Sequence, residues 1–295
     1  MRVFVTGASG FVGSAVVKEL IGVGHAVTGL ARSDANVAAL TLAGADVHRG
    51  SLEDVASLQA GAAAADGVIH TAFDHDFSKW AENCEKDRRA IEALGEGLDG
   101  TNKPLIITSG TALLAPGRVA TEDDVAASTL PRVASEQAAD ALAKRGVRAM
   151  VLRLPPSVHG DGDHGFVPRL IGMAKEKGAS VYVGDGQNRW PAVHRFDAAV
   201  LYRLVLEKGV AAARYHAVGE EGVSFREIAR VIGEKCSLPV KSLTREEAEI
   251  HFGWFALFAG IDAPASSAKT GAAMGWKAKG VGLIADLEKG TYFGK

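Results

Sequence analysis

A chain of 295 residues with 47% apolar and 23% charged residues and a formal net charge of −2 has ample length for a sizeable core in one or two domains. That balance supplies no basic face for nucleic acid and no polybasic stretch for an anionic membrane, so neither is expected as a partner. Cys84 and Cys236 stand far apart without metal-ligand spacing, the late apolar stretch from Phe252 to Ile261 is too short to span a bilayer, and the N-terminus reads as a strand rather than a leader. A reducing compartment, the cytoplasm, is the expected location, and each cysteine reads as a small packed residue rather than a nucleophile.

Met1 to Thr6 is a β-branched, apolar run of the kind that makes a buried strand, and Gly7-Ala8-Ser9-Gly10-Phe11-Val12-Gly13 breaks it and opens a helix carrying Ala15, Val16, Val17, Leu20 and Ile21. Gly7 permits a tight turn, Gly10 lets the backbone approach a pyrophosphate, and Gly13 lets the helix pack close to the strand. The unpaired N–H groups at the start of that helix then face the phosphates, which makes this a dinucleotide site. His25 to Leu30 reads as a second strand, Ala35 to Leu42 as a helix, and Ala45 to His48 as a third strand. Ser51-Leu52-Glu53-Asp54 looks like an N-cap with acidic first-turn residues for a helix through Ala60. Gly67 to His70 is strand four, Asp76 to Leu94 a long charged helix, Pro104 to Ser109 strand five, Leu130 to Lys144 an Ala-rich helix and Val147 to Leu154 strand six. Such alternation predicts an α/β fold of the doubly wound kind, a parallel sheet covered on both faces with ligands beyond the C-terminal ends of its strands.

After Leu154 the rhythm changes. Pro155-Pro156 and His159 to Gly165 read as a loop, followed by a helix from Val167 to Lys177, a strand from Ser180 to Val183, a turn from Gly184 to Asn188, a helix from Asp197 to Glu207, a strand from Tyr215 to Val218 and a helix from Phe225 to Glu234. The expected division is a dinucleotide-binding domain over 1–155, with 190–218 returning to it, and a smaller substrate domain over 156–295. Phe166, Trp190, Phe252, Trp254, Phe255 and Phe258 either wall an apolar pocket there or fill its core. At the end of strand two, Arg32 and Ser33 offer a guanidinium and a hydroxyl where an acid would accept from a ribose 2′-OH, so NADP(H) is expected over NAD(H), with a solvated loop charge as the alternative for Arg32.

Four segments in order resemble the extended short-chain dehydrogenase/reductase family: Thr6-Gly7-Ala8-Ser9-Gly10-Phe11-Val12-Gly13 its TGxxGxxG, Val68-Ile69-His70-Thr71-Ala72 its VxHxAA, Leu154 to Gly160 its RPxxVYG, and Trp190 to Ala199 the segment ending in HVxDxA. The resemblance implies a Rossmann domain with a small C-terminal substrate domain, and a homodimer joined through the helices at Asp76–Leu94 and Leu130–Lys144. It implies cofactor contacts from Ser9, Phe11 and Val12 in the glycine turn, from Ser51 and Leu52 at the adenine, and from Thr71, Ala72 and Phe73 under the pyrophosphate and nicotinamide ribose. Thr108, Pro155, Ser157 and Val158 join these at the nicotinamide end. Strand four's His70 reads as a satisfied core histidine.

The family's YxxxK pair is absent: no tyrosine has a lysine four residues later. Alignment through Ser135 places Arg132 at the tyrosine position and Glu136 at the lysine position, one helical turn apart, either as a structural ion pair or with Arg132 binding a substrate carboxylate or polarising a carbonyl. The pattern resembles atypical members of the family that keep the cofactor motif and lack that pair. Ser109 or Thr111 stands where the family keeps its carbonyl-binding hydroxyl, able to donate to a developing alkoxide or merely to cap a turn. His159 is either the missing proton donor, ahead of His75, His164 and His194, or an ordinary loop histidine. The cluster His159-x-Asp161-x-Asp163-His164 is not expected to hold a metal. The expected activity is an NADP(H)-dependent oxidoreductase acting on a small-molecule carbonyl or alcohol. The alternatives are an NADP(H)-binding sensor of the NmrA-like kind and, less favoured, an epimerase or dehydratase.

Overall fold

The computed structural model describes residues 1–114, 116–126 and 129–294. In chain order the elements are β1 (Arg2–Thr6), α1 (Phe11–Gly22), β2 (Ala26–Ala31), α2 (Asp34–Leu42), β3 (Asp46–Arg49), α3 (Val55–Ala63), β4 (Gly67–His70), α4 (Trp80–Glu96), β5 (Pro104–Gly110), α5 (Ala134–Lys144) and β6 (Arg148–Leu154). The chain continues through β7 (Ser157–His159), α6 (Phe166–Lys177), β8 (Ser180–Val183), β9 (Arg189–His194), α7 (Arg195–Lys208), β10 (Arg214–His216), β11 (Glu220–Ser224), α8 (Phe225–Cys236), β12 (Val240–Leu243), α9 (Arg245–Phe252), α10 (Ala256–Gly260), α11 (Ala268–Met274) and α12 (Leu283–Lys289).

Seven parallel strands lie in the order β10-β6-β5-β4-β1-β2-β3, so the order reverses between β1 and β4 and leaves a crevice at their C-terminal ends. The period-2 geometry of a strand sorts its side chains into two cores. Val3 and Val5 of β1 and Ile106 of β5 join the core under α1 and α7. Phe4, Leu105 and Ile107 join the one under α3, α4 and α5. This is the Rossmann architecture that the strand–helix alternation predicts. Among the described residues, no helix is long and apolar enough to cross a membrane.

Helix starts differ from the sequence reading where a different polar side chain wins the cap. Asp54, not Ser51, accepts from Ser57 N at 3.0 Å and starts α3. Asp76 accepts from Ser78 N and begins a 3₁₀ turn, Phe77–Lys79, before α4. Pro131 holds another short 3₁₀ turn ahead of α5. The outward faces of α4 and α5 carry Glu82, Glu85, Arg88, Arg89, Gln137 and Lys144, with Arg88 paired to Glu85 and Glu92 along its own helix.

One strand, β7, lies where the sequence suggested a loop, and two more, β9 and β11, lie where it assigned no element. β7, within the expected Pro155–Gly165 loop, pairs parallel with β9, which pairs antiparallel with β11. These strands and α6, α8 and α12 enclose a third core containing Leu170, Trp190, Phe225, Ile228, Phe252, Phe255 and Leu287. β10 returns to the edge of the large sheet beside β6, and α7 packs across α1, so the second half of the chain is stitched to the first.

Candidate active site

At the crevice, Gly7 adopts φ +67°, and a Cβ there would stand 2.7 Å from Ala72 N and 2.8 Å from Thr71 Oγ1. Gly10 N donates to Gly7 O at 2.9 Å, closing the turn. A Cβ on Gly13 would overlap the Gly7 carbonyl, so this glycine lets α1 pack against the turn itself. Gly10 caps α1 without a side-chain hydrogen bond, which leaves the amides of Phe11 and Val12 to meet an anion. The turn fits a dinucleotide diphosphate on its own geometry, a Cβ-free cradle at an uncapped helix start. Gly13→Ala is therefore expected to weaken dinucleotide affinity by at least about tenfold in calorimetry, roughly 1.4 kcal/mol. Gly22→Ala, where nothing lies within 4 Å, is the matched substitution expected to leave it unchanged.

Beside the turn, the Ser33 hydroxyl caps α2, accepting from Asn36 N at 3.3 Å and donating to Asn36 Oδ1 at 2.8 Å, while Asn36 Nδ2 donates to Ser9 Oγ at 2.8 Å. Ser33 thus braces Ser9 through Asn36, a residue that sequence reasoning missed. Arg32 is exposed and makes no ion pair among the described residues; its neighbour Asp34 pairs with Arg49 instead. Ser51 Oγ accepts from Glu53 N, and half-buried Leu52 packs on the second core, forming a floor past the end of β3.

The ends of β4 and β5 meet in a buried chain of hydrogen bonds. Thr6 Oγ1 lies 2.7 Å from His70 Nδ1, and His70 Nε2 lies 2.9 Å from Asp87 Oδ1, so both ring nitrogens are satisfied. Asp87 Oδ2 accepts from Arg132 at 2.6 Å and from Ser135 Oγ at 2.6 Å. Burial pushes the Asp87 carboxyl up, but the Arg132 charge and the His70 and Ser135 hydrogen bonds outweigh it and hold the pKa down at about 2. Arg132 also donates to Thr108 O at 3.0 Å and lies 4.2 Å above the Phe73 ring. Its Nε–H and one remaining terminal N–H have no protein partner among the described residues. The Thr108 hydroxyl donates to His70 O and lies 2.7 Å from Tyr202 OH, whose phenol burial pushes well above its ordinary range.

Glu136 does not pair with Arg132, contrary to the ion pair that their spacing suggested. It turns to the other side of β5, where Arg153 grips both oxygens at 2.8 and 2.7 Å and Arg214 adds a contact at 3.2 Å. Burial raises the Glu136 carboxyl, and the hydrogen bond and charge of Arg153, then Ser109 and Arg214, bring it below the ordinary glutamate range. Ser109 is drawn into this group: it is buried and donates to Glu136 Oε1 at 2.7 Å, because alternation along β5 aims Thr108 and Ser109 at opposite faces. Its hydroxyl is committed away from the crevice, which corrects its assignment as a carbonyl binder. Thr111 is buried with a hydroxyl that has no partner among the described residues.

His159 also departs from expectation. It is fully buried on β7, its Nδ1 lies 2.8 Å from Asp286 Oδ2, and burial lowers its pKa. Strand alternation sends Ser157 and His159 into buried positions and Val158 toward the core beside the glycine turn, while Pro155 is buried at the chain's exit from β6. Two imidazoles line the crevice: His75, exposed and edge-on to Phe73 at 5.2 Å, and His164, edge-on to Phe11 at 5.8 Å. Desolvation by the surrounding rings lowers the His75 pKa, and the nearby charges of Arg132 and His164 add to that. Arg195, also missed, lies 4.7 Å over Phe11 at the start of α1 and donates to Asp161 O at 2.8 Å. The 159–165 loop is held from α12 and its end: Gly160 N donates to Tyr292 OH, which donates to Asp163, and Thr291 donates to Asp161. Among the described residues no group of three or more His, Cys, Asp or Glu side chains converges as metal ligands. Burial pushes the Cys84 thiol up to about 11.

A family model described as "NAD dependent epimerase/dehydratase family" matches residues 3–218. The chain is 51% identical over 295 residues to "Uncharacterized protein C2A9.02" of Schizosaccharomyces pombe, covering 99% of this chain and 100% of that one. It is 26% identical over 243 residues to the "Sterol-4-alpha-carboxylate 3-dehydrogenase, decarboxylating" of Dictyostelium discoideum, covering 76% and 73%. The crystal structure of DesIV, a dTDP-glucose 4,6-dehydratase from Streptomyces venezuelae with NAD and TYD bound, superposes with a TM-score of 0.79 at 19% identity, over 99% of this chain and 96% of that one. That last likeness concerns the fold.

Proposed function

Because the chain belongs to the NAD dependent epimerase/dehydratase family, we propose that it is an NADP(H)-dependent oxidoreductase that reduces a small-molecule carbonyl, or oxidises the corresponding alcohol, by hydride transfer. The observation that carries this reading is Arg132, anchored by Asp87 and Thr108 O at the end of β5 with two N–H groups that have no partner among the described residues. A guanidinium keeps its proton throughout, so it cannot serve as the base that a transient-oxidation cycle of an epimerase needs. It can bind and polarise a carbonyl oxygen and stabilise the alkoxide as charge develops there. The relative named as a dehydrogenase supports oxidoreductase chemistry on this frame.

Bound at the glycine turn, a nicotinamide dinucleotide supplies or accepts the hydride. The chain's own part is to hold the carbonyl oxygen at Arg132, to keep Arg132 fixed through Asp87, and to leave His75 at the solvent-accessible side where a proton can arrive. Arg32 carries the preference for a 2′-phosphate, since its guanidinium pairs with no carboxylate among the described residues and is exposed at the end of β2. Arg32→Glu is expected to lower affinity for NADPH about tenfold or more while leaving NADH within a factor of about two. Equal affinity of the unaltered protein for NADPH and NADH removes the NADP(H) assignment. The activity itself is tested by following NADPH absorbance with a panel of aldehydes and ketones. Tight NADPH binding without turnover on any of them favours the sensor reading.

A further inference from the structure

Residues 73–80 lay a file of rings across the crevice. Phe73 lies beneath Arg132, His75 stands edge-on to Phe73 at 5.2 Å and 6.2 Å from Phe77, and Phe77 stacks on Trp254 with centroids 4.5 Å apart and planes 18° from parallel. Phe77 comes from the dinucleotide half and Trp254 from the substrate half, so this stack closes one over the other. Phe166 and Phe258, 4.9 Å apart, lie 6.0 and 6.1 Å from Phe77 and extend the wall. Behind them Trp190 and Phe255 are fully buried and form the backing. The six sequence-picked aromatics therefore divide: Trp190, Phe252 and Phe255 are core, while Phe166, Trp254 and Phe258 meet Phe77 at the face.

The chemistry of this face selects against a polar substrate. Phe77, Phe166 and Phe258 offer no hydrogen bond, so a hydroxyl-rich or diphosphate-bearing group lodged among them would lose most of its water partners, with the Trp254 indole N–H and the Arg169 guanidinium, 5.0 Å over that ring, as the polar groups at the outer edge. A flat conjugated group would instead gain area burial and offset stacking. The face is also exposed: Trp254 is 45% accessible, so the outer ring of the stack is within reach of a ligand.

We infer that the substrate is a planar aryl or aryl-conjugated aldehyde or ketone, whose ring lodges between Phe77 and Trp254 as that stack opens and whose oxygen reaches Arg132. The chemical half of this inference rests on the reductase reading; the binding half does not. In the reduction, the carbonyl carbon gains the hydride of the reduced nicotinamide and the carbonyl oxygen gains a proton from solvent.

The test uses the whole chain saturated with NADP⁺, which cannot reduce the ligand. Benzylideneacetone, 2-decanone and a UDP-sugar are titrated, and dissociation constants are read by calorimetry alongside tryptophan fluorescence. Benzylideneacetone is expected to bind at least about tenfold more tightly than 2-decanone, with calorimetric affinity weakened about tenfold in Trp254→Ala and kept in Trp254→Phe. Phe77→Ala is expected to weaken it about tenfold with NADPH affinity unchanged, which also shows that the variant is folded. Equal constants for the two ketones, tighter binding of the UDP-sugar, or no effect of Phe77→Ala overturns the inference. Aryl binding with no NADPH consumption by any carbonyl overturns the reductase reading and leaves the binding inference standing. Turnover without aryl preference does the reverse.

Discussion

Replacing Arg132 with methionine is expected to lower kcat for carbonyl reduction about 100- to 1,000-fold, the usual cost of removing a donor aimed at developing negative charge. The loss should fall on kcat more than on KM, because the stabilised charge exists in the transition state and the ground-state carbonyl is only weakly polar. Arg132→Lys keeps the charge and loses the planar fork, which here spans Asp87 and Thr108 O at once, so an intermediate loss is expected. A purely structural arginine would show a different signature. Arg132 is also the counter-charge that holds Asp87 at a pKa of about 2. A carboxylate depressed on folding contributes stability that is present above its unfolded pKa and is lost as pH falls through the folded value. The methionine variant raises the folded pKa, so its acid-unfolding midpoint should move to higher pH. Stability at neutral pH should fall as well, because Asp87 stays buried without its counter-charge; if kcat per folded molecule collapses while NADPH affinity holds, the guanidinium acts on substrate, and if kcat falls only in step with folded fraction, that role is excluded.

The parts of the fold visible in the sequence were those set by local chemistry and short-range periodicity. β1, Gly7, Gly13 and α1 form one contiguous run whose glycine positions have no other economical explanation, and alternation through β6 dictates a parallel sheet. What escaped was decided by long-range pairing. β7 is three residues long and directly follows two prolines, and nothing local distinguishes it from a loop; it is a strand because β9, some thirty residues later, lies beside it. The same holds for the site. The face of β5 could not be read from Thr108-Ser109-Gly110-Thr111 alone, since a shift of one residue exchanges crevice for core. Ser109 landed on the core side because Glu136 and Arg153 are there to receive it. His159 was credited with a place in the crevice that its neighbour Asp286, 127 residues away, denies it. Asp87 carried a usable signal: an acid on an otherwise buried face of α4, which requires a partner inside. Phe77 carried none, because its importance lies in touching Trp254.

Cutting Glu136 to alanine is expected to cost about 3–5 kcal/mol of unfolding free energy in urea, among the largest effects of any single change in the chain. Arg153 is 0% exposed, and both Glu136 oxygens are its principal partners; without them its charge is buried with His216 Nε2, 3.2 Å away, and no paired anion among the described residues. Arg214 would suffer less, since it is partly accessible and keeps Asp140 at 2.7 Å. Much of the cost is thus the stranded Arg153 rather than the lost attraction, and that makes a sharper expectation possible. Glu136→Leu combined with Arg153→Met removes both charges and should recover most of the stability, giving a coupling energy of the order of 2–3 kcal/mol in the double-mutant cycle. The pH dependence separates the variants independently. Glu136 sits below its ordinary range when folded, so its contribution is complete above the unfolded glutamate pKa and declines as pH drops through the folded one. The original chain should therefore lose stability across that acid window more steeply than the uncharged double variant. Additive single effects and parallel pH profiles would mean that Glu136 and Arg153 act separately, and that Ser109 is withheld from the crevice by something other than this pair.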